Sequence, residues 1–247
     1  MKRILWAVLA LMLAASACAA LAQEEAPTGR KVVYLTFDDG PKADTPELLR
    51  ILSEENVPAT FFFVGQKVRT FPDEARMVYE AGHAIGCHSM YHSISSLKTH
   101  DDTVSRDYNG FLKVMREIVD PAFETDLYRF PGGSTSYRLK MWEAIVDAGC
   151  AWFDWNVLTS DTDADMSTEK IYKQVVRMTG DQEVVILLAH EGIKRTQRIL
   201  PDLIAFYREN GYEFRALSTG AEDREIYERC SARMKLPPLT QEQEETL

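Results

Sequence analysis

Apolar residues run along this chain in short unbroken blocks, and stretches with helical periodicity separate them. The blocks are Val32–Phe37, Ala59–Val64, His83–Ser89, Leu127–Pro131, Ala151–Trp155, Val184–His190 and Tyr212–Leu217. Continuous apolar runs of this length, bounded by turn residues, predict strands covered on both faces. Between them, helices are expected over Asp44–Glu55, Pro72–Ala81, Thr103–Val119, Tyr137–Ala148, Ser167–Met178 and Thr196–Glu209. Gly82 and Gly149 stop two of these, and Ser167 is placed to cap another. Strand and helix alternate seven times, which implies a parallel sheet with helices outside it. The pattern fits a closed or nearly closed β/α barrel and also an open, doubly wound sheet. No G-x-G-x-x-G follows the first strand, which weakens a dinucleotide-binding reading.

The two ends of the chain follow a different pattern. Lys2-Arg3 precedes an apolar run to about Ala15, and small residues lead to Ala20-Leu21-Ala22. A basic start, a short apolar run and an A-x-A site predict a secretory signal peptide over residues 1–22, cleaved after Ala22. A lipid-modified Cys18 and an uncleaved anchor rank below it. Residues 23–30 read as a linker, 31–220 as the folded domain, and 221–247 as a C-terminal extension with a disordered, proline- and acid-rich tail. Cleavage leaves 225 of the 247 residues and, with two cations and no acid gone, a formal charge of −12 in place of −10. That balance argues against nucleic acid as a partner. No stable protein partner is expected either. Cys87, Cys150 and Cys230 then remain, an odd and scattered set that is not a disulfide framework.

Chemistry collects at the strand ends, where parallel β/α folds place their active sites. The first strand ends in Asp38-Asp39, the third at His88 with His92 beyond, and the fourth at Arg129 before Pro131-Gly132-Gly133. The fifth ends at Asp154-Trp155 and the sixth at His190. Two histidines four apart with a nearby aspartate make a three-ligand set that leaves coordination positions open, the pattern of a catalytic metal site. His190 closes the longest apolar strand and needs a hydrogen-bonding partner, for which Asp154 is available. The carboxylates of residues 161–165 read as a solvated loop. His83, His100 and Glu191 read as structural or solvated.

The motifs "TFDDG" (36–40), "HSMYH" (88–92), "RFPGG" (129–133), "DW" (154–155) and "LAH" (188–190) stand in the order found in polysaccharide deacetylases. The chain resembles this family, the NodB-homology enzymes of carbohydrate esterase family 4, over residues 31–217. The resemblance implies an α/β fold, a distorted, incomplete (β/α)7 barrel. It implies that Asp39, His88 and His92 hold one divalent metal, zinc first, with cobalt, nickel, manganese or magnesium as alternatives. Asp38 resembles the general base and Arg129 the residue holding it. His190 resembles the general acid and Asp154 the carboxylate orienting it. Gly132 stands where a backbone N–H meets the oxyanion, and Trp155 and Leu188 resemble apolar walls. Where many members have tyrosine after the proline of the third motif, this chain has Gly132. The expected activity is a secreted or envelope-associated, metal-dependent removal of N-acetyl groups from a glycan, with N-acetylglucosamine of peptidoglycan leading. Chitin-type oligomers, surface polysaccharide, xylan and a non-catalytic glycan-binding domain are the alternatives.

Overall fold

The computed structural model describes residues 31–220. The expected signal peptide, linker and C-terminal extension, with Cys230, lie outside the described residues. Strand β1 (Lys31–Gly40) is the centre of the sheet, and from Val32 to Asp38 it is buried throughout. Its apolar run has no solvent-facing alternation because both of its faces are covered. The remaining strands are β2 (Thr60–Phe63), β3 (Ala84–Cys87), β4 (Leu127–Tyr128), β5 (Ala151–Trp152), β6 (Val157–Leu158), β7 (Val184–His190) and β8 (Tyr212–Arg215). They form one sheet in the order β5-β4-β3-β2-β1-β7-β6, and every pairing is parallel. Strand β8 pairs the first residues of β1, Lys31–Tyr34, end to end with β2, which pairs Thr36–Gly40 on the same edge.

The outer strands of this order, β5 and β6, are joined by residues 153–156 alone. The five Cα steps from Trp152 to Val157 span at most about 18 Å, so the sheet must curl until its edges approach one another. This is the expected distorted, incomplete barrel. Within it the sequence reading is corrected at one place. The block Ala151–Trp155 is not one strand, because the chain leaves β5 after Trp152, crosses the gap and pairs again on the other edge as β6. The sheet therefore has eight strands rather than seven.

The helices are α1 (Thr45–Glu54), α2 (Gly65–Thr70), α3 (Pro72–Glu80), α4 (Ile94–Leu97), α5 (Thr103–Ile118), α6 (Leu139–Val146), α7 (Thr168–Thr179) and α8 (Lys194–Glu209). The periodicity found six of them and missed the short α2 and α4. Each long helix buries one stripe. In α8 the stripe is Thr196, Ile199, Leu200, Leu203, Ile204 and Tyr207, at the three- and four-residue steps of a helix face. In α7 it is Ile171, Val175 and Thr179, and the Ser167 hydroxyl accepts from Lys170 N at 3.2 Å as the expected cap. Cys87 and Cys150 are buried free thiols.

Candidate active site

The ends of β1, β3, β4 and β7 bring the predicted residues together. Asp38 and His190 are register partners on the adjacent strands β1 and β7, which lie about 4.8 Å apart in a sheet. Asp38 is followed by a register shift in β1, and Asp39 takes a left-handed φ of 69°. The shift turns the two neighbouring carboxylates in different directions.

The Asp38 carboxylate points into the barrel. Its Oδ1 accepts from Arg129 Nη1 at 2.8 Å, and both side chains are almost wholly buried. Arg129 is tied on every side: Nη1 also donates to Thr36 Oγ1 at 2.7 Å, Nε to Phe153 O at 2.7 Å and Nη2 to Asp154 O at 3.4 Å. The guanidinium lies 4.1 Å from the centre of the Phe62 ring and 5.8 Å from that of Trp155. A charge buried this deeply is tolerable only because it is paired and four of its five N–H donors find acceptors.

The other Asp38 oxygen, Oδ2, lies 3.6 Å from His88 Nε2, and Asp39 faces both histidines. Its Oδ1 stands 3.4 Å from His92 Nε2 and 3.8 Å from His88 Nε2. One ligand atom from each of Asp39, His88 and His92 falls within 4.8 Å of the others. The His88 ring is preset for ligation. Its Nδ1 is 2.8 Å from the Arg129 carbonyl, which can only accept, so Nδ1 carries the proton and Nε2 presents a lone pair. Burial pulls the His88 pKa down, against the upward pull of Asp38 and Asp39, and that favours the neutral, ligating ring. A two-nitrogen, one-carboxylate set with the exposed His92 on its outer side fits a divalent cation with room for water.

The histidine pair sits on a turn rather than on a helix. Ser89 and His92 have φ of 68° and 53°, and His92 N donates to Ser89 Oγ at 2.8 Å. The unforeseen helix α2 holds this turn from below, with Gly65 N and Gln66 N donating to the Ser89 and Met90 carbonyls. From the side, Met90 N donates to Asp107 of α5, a carboxyl that burial pushes up to about 6.

His190 is where the sequence reading is corrected. Its Nδ1 is 2.7 Å from Asp161 Oδ1, and its backbone N–H donates to Asp161 Oδ2 at 2.9 Å. Asp161 also accepts from Thr196 Oγ1 and is 0% exposed, so it is no part of a solvated loop. Burial alone pulls the His190 pKa down, but the Asp161 hydrogen bond and charge, with Asp38 and Asp39 behind them, raise it overall. Asp161 is lowered, its own burial outweighed by the bonds from His190 and Thr196. Asp154 does not reach His190. Its carboxylate accepts from Ser134 N at 3.0 Å and Ser134 Oγ at 2.7 Å, and burial raises it in spite of these bonds. The cause of the difference is β6: two residues of strand after the crossing carry the chain back to β7, where Thr159 N pairs Leu188 O and delivers Asp161 beside His190.

The remaining predicted residues frame this cluster. Gly132 and Gly133 follow Arg129 with φ of 74° and 87°. Gly133 N donates to Phe130 O at 2.9 Å, while Gly132 N–H finds no acceptor among the described residues and is free to meet a developing negative charge. Trp155 packs 3.3 Å from where a Gly133 Cβ would stand. Leu188 lies two residues before His190 on the same face of β7. A carboxylate held by a guanidinium, a set of side chains able to hold a metal, an unpaired N–H and a carboxylate-backed imidazole at one pole suit hydrolysis of an acyl group through a tetrahedral oxyanion.

The sequence profile described as polysaccharide deacetylase matches residues 25–152. A peptidoglycan-N-acetylglucosamine deacetylase of Bacillus cereus is 30% identical over 195 residues, covering 76% of this chain and 69% of the relative. A second B. cereus protein of that name is 30% identical over 203 residues, covering 78% and 90%. The crystal structure of a polysaccharide deacetylase from B. cereus superposes with a TM-score of 0.70 at 28% identity, over 78% of this chain and 94% of that one. The catalytic domain of a peptidoglycan N-acetylglucosamine deacetylase from Eubacterium rectale does so with a TM-score of 0.70 at 26% identity, over 81% and 94%.

Proposed function

The chain belongs to the polysaccharide deacetylase family, and from that premise we propose that it removes the N-acetyl group from N-acetylglucosamine of peptidoglycan, with a divalent metal, outside the cytoplasm. One observation carries the mechanism: Asp38, fixed by Arg129, and His190, fixed by Asp161, are register partners on neighbouring strands beside the Asp39–His88–His92 set.

In this reading Asp39, His88 and His92 hold the cation. When bound, a divalent cation there supplies Lewis acidity toward the amide carbonyl and makes nearby water easier to deprotonate. Asp38 takes the proton of the attacking water, and Arg129 keeps its carboxylate aimed. The Gly132 N–H stabilises the oxyanion. Trp155 and Leu188 wall the acyl methyl. His190 then gives its proton to the leaving amine, which departs poorly without one. Asp161 favours the protonated imidazole and orients it. Asp154 acts further out, anchoring the loop that carries the free N–H by binding Ser134.

The named relatives at 30% identity support peptidoglycan as the substrate, and the export-type N-terminus supports action outside the cytoplasm. The test is acetate release by zinc-loaded full chain from purified peptidoglycan and from N-acetylated chitooligosaccharides. Release from peptidoglycan that a chelator abolishes and zinc restores is expected. Release from the oligosaccharides alone would reassign the substrate, and release from neither would overturn the reading. Mass analysis of the exported chain checks for a mature N-terminus at Gln23.

A further inference from the structure

Just past the catalytic pole, two glycines and two long side chains interlock. Glu191 follows the acid on β7, yet it turns back under β1 and is only 1% exposed. Its carboxyl occupies the space where residue 40 would carry a side chain: a Cβ on Gly40 would lie 1.5 Å from Glu191 Oε1 and 2.3 Å from Cδ. The reverse contact is also present. Lys42, two residues beyond Gly40, lies across Gly192, where a Cβ would fall 2.4 Å from Lys42 Cδ. Each segment therefore contributes one glycine and one long side chain that fills the space over the other's glycine.

Hydrogen bonds close the interlock. Lys42 Nζ donates to Glu191 O at 2.7 Å, and Glu191 N donates to Asp38 O at 3.0 Å. Thr45 Oγ1 donates to Glu191 Oε2 and accepts from Lys42 N at 3.0 Å. Burial pushes the Glu191 carboxyl up to about 8, which leaves it mostly neutral at pH 7 and tolerable in this position. Glu191 Oε1 has no hydrogen-bond partner among the described residues, and it packs against Gly40.

We propose that Glu191 and Lys42 are positioning residues, a two-way clasp that fixes the spacing between Asp38–Asp39 on β1 and His190 on β7. The base and a metal ligand stand immediately before Gly40, and the acid immediately before Glu191, so slack in the clasp moves one relative to the other. The inference rests on the deacetylase reading for its kinetic consequence and on packing alone for its structural one.

Four chains test it: the parent, Gly40→Ala, Glu191→Ala and the double variant. Each is assayed for kcat and KM on a soluble N-acetylglucosamine oligomer and for Tm. A misplacement near 1 Å costs up to about 100-fold in rate, so each single variant is expected to lose about 10- to 100-fold in kcat with KM little changed. The double variant recovers part of the Gly40→Ala loss in both kcat and Tm, because the new methyl enters the space the carboxyl has left. Parental kcat in Glu191→Ala, or effects that merely add, overturns the clasp. If the parent releases acetate from neither this oligomer nor peptidoglycan, the deacetylase reading fails, and non-additivity in Tm across the same four chains still decides the interlock. If Glu191→Ala does not fold, Lys42→Met carries the test, since it keeps an aliphatic stem over Gly192 and removes the ammonium. Reduced kcat at unchanged KM supports the clasp and unchanged kcat overturns it.

Discussion

Replacing Asp161 by asparagine should move the alkaline limb of the activity profile. Three donors converge on this carboxylate: His190 Nδ1, His190 N and Thr196 Oγ1. Asparagine is isosteric but neutral, and its amide nitrogen must face at least one of those donors. The imidazolium loses a charge-assisted hydrogen bond in a site where Asp161 is wholly buried and the His190 side chain is 19% exposed. Hydrogen bonds to charged groups contribute about 1.5–3 kcal/mol. At about 1.4 kcal/mol per pKa unit, the change lowers the His190 pKa by about 1 to 2. In the parent this pKa is raised, so the acid stays protonated to higher pH and activity falls as pH rises through it. Asp161→Asn should bring that fall about 1 to 2 pH units lower, a loss of about 10- to 100-fold above both limbs. The same linkage acts on stability: the His190 contribution is fully present below the ordinary histidine value of 6.5 and is lost as pH rises through the raised one. The assay is kcat/KM for acetate release from pH 5 to 10, with Asp154→Asn as the control. Because Asp154 binds Ser134 and not His190, its limb should stay in place. An unmoved limb in Asp161→Asn, or one that moves with Asp154→Asn instead, would refute the assignment.

Two further expectations follow from the buried base and the ligand set. Arg129→Met leaves the Asp38 carboxylate buried without its partner, and breaking such a pair costs about 3–5 kcal/mol, read as a drop in the denaturant midpoint at unchanged m-value. Asp38→Asn should abolish turnover and keep metal stoichiometry near that of the parent, whereas His92→Ala should lose metal. Elemental analysis of dialysed protein that finds the reverse would exchange the roles of the two aspartates.

The sequence showed most of this site because most of it stands at the ends of long apolar strands. Val32–Phe37 and Val185–Ala189 are buried throughout, so the polar residues that close them stand out against the pattern. Arg129 stood out less, since β4 is only two residues long, but the Pro-Gly-Gly after it marked a turn. Asp161 was illegible for a physical reason. Its strand, β6, is the pair Val157–Leu158, too short for any periodicity, and the aspartates after it resemble an ordinary solvated loop. The strand-end rule itself was sound: had Val157–Leu158 been read as a strand, Asp161 would have been its closing carboxylate. Trp155 concealed the crossing, because an aromatic residue looks like a continuation of β5. The short α2 was hidden likewise, since it carries little apolar pattern and acts through its first N–H groups.

The burial of Arg129 also bears on how such a chain would decay if its activity ceased to matter. The arginine joins β1, β2, β4 and the β5–β6 crossing through side-chain and backbone partners, so a lineage that no longer turned over substrate would still be selected to keep it, for folding alone. Asp39 and His92 have side chains that are 32% and 40% exposed and hold a backbone geometry that glycine or asparagine adopts more easily. If their task is to hold a metal, as proposed, those positions would be free to drift once it was no longer needed. On the proposed reading, a relative that keeps the arginine but has changed the residues equivalent to 39 and 92 would fold without turning over substrate.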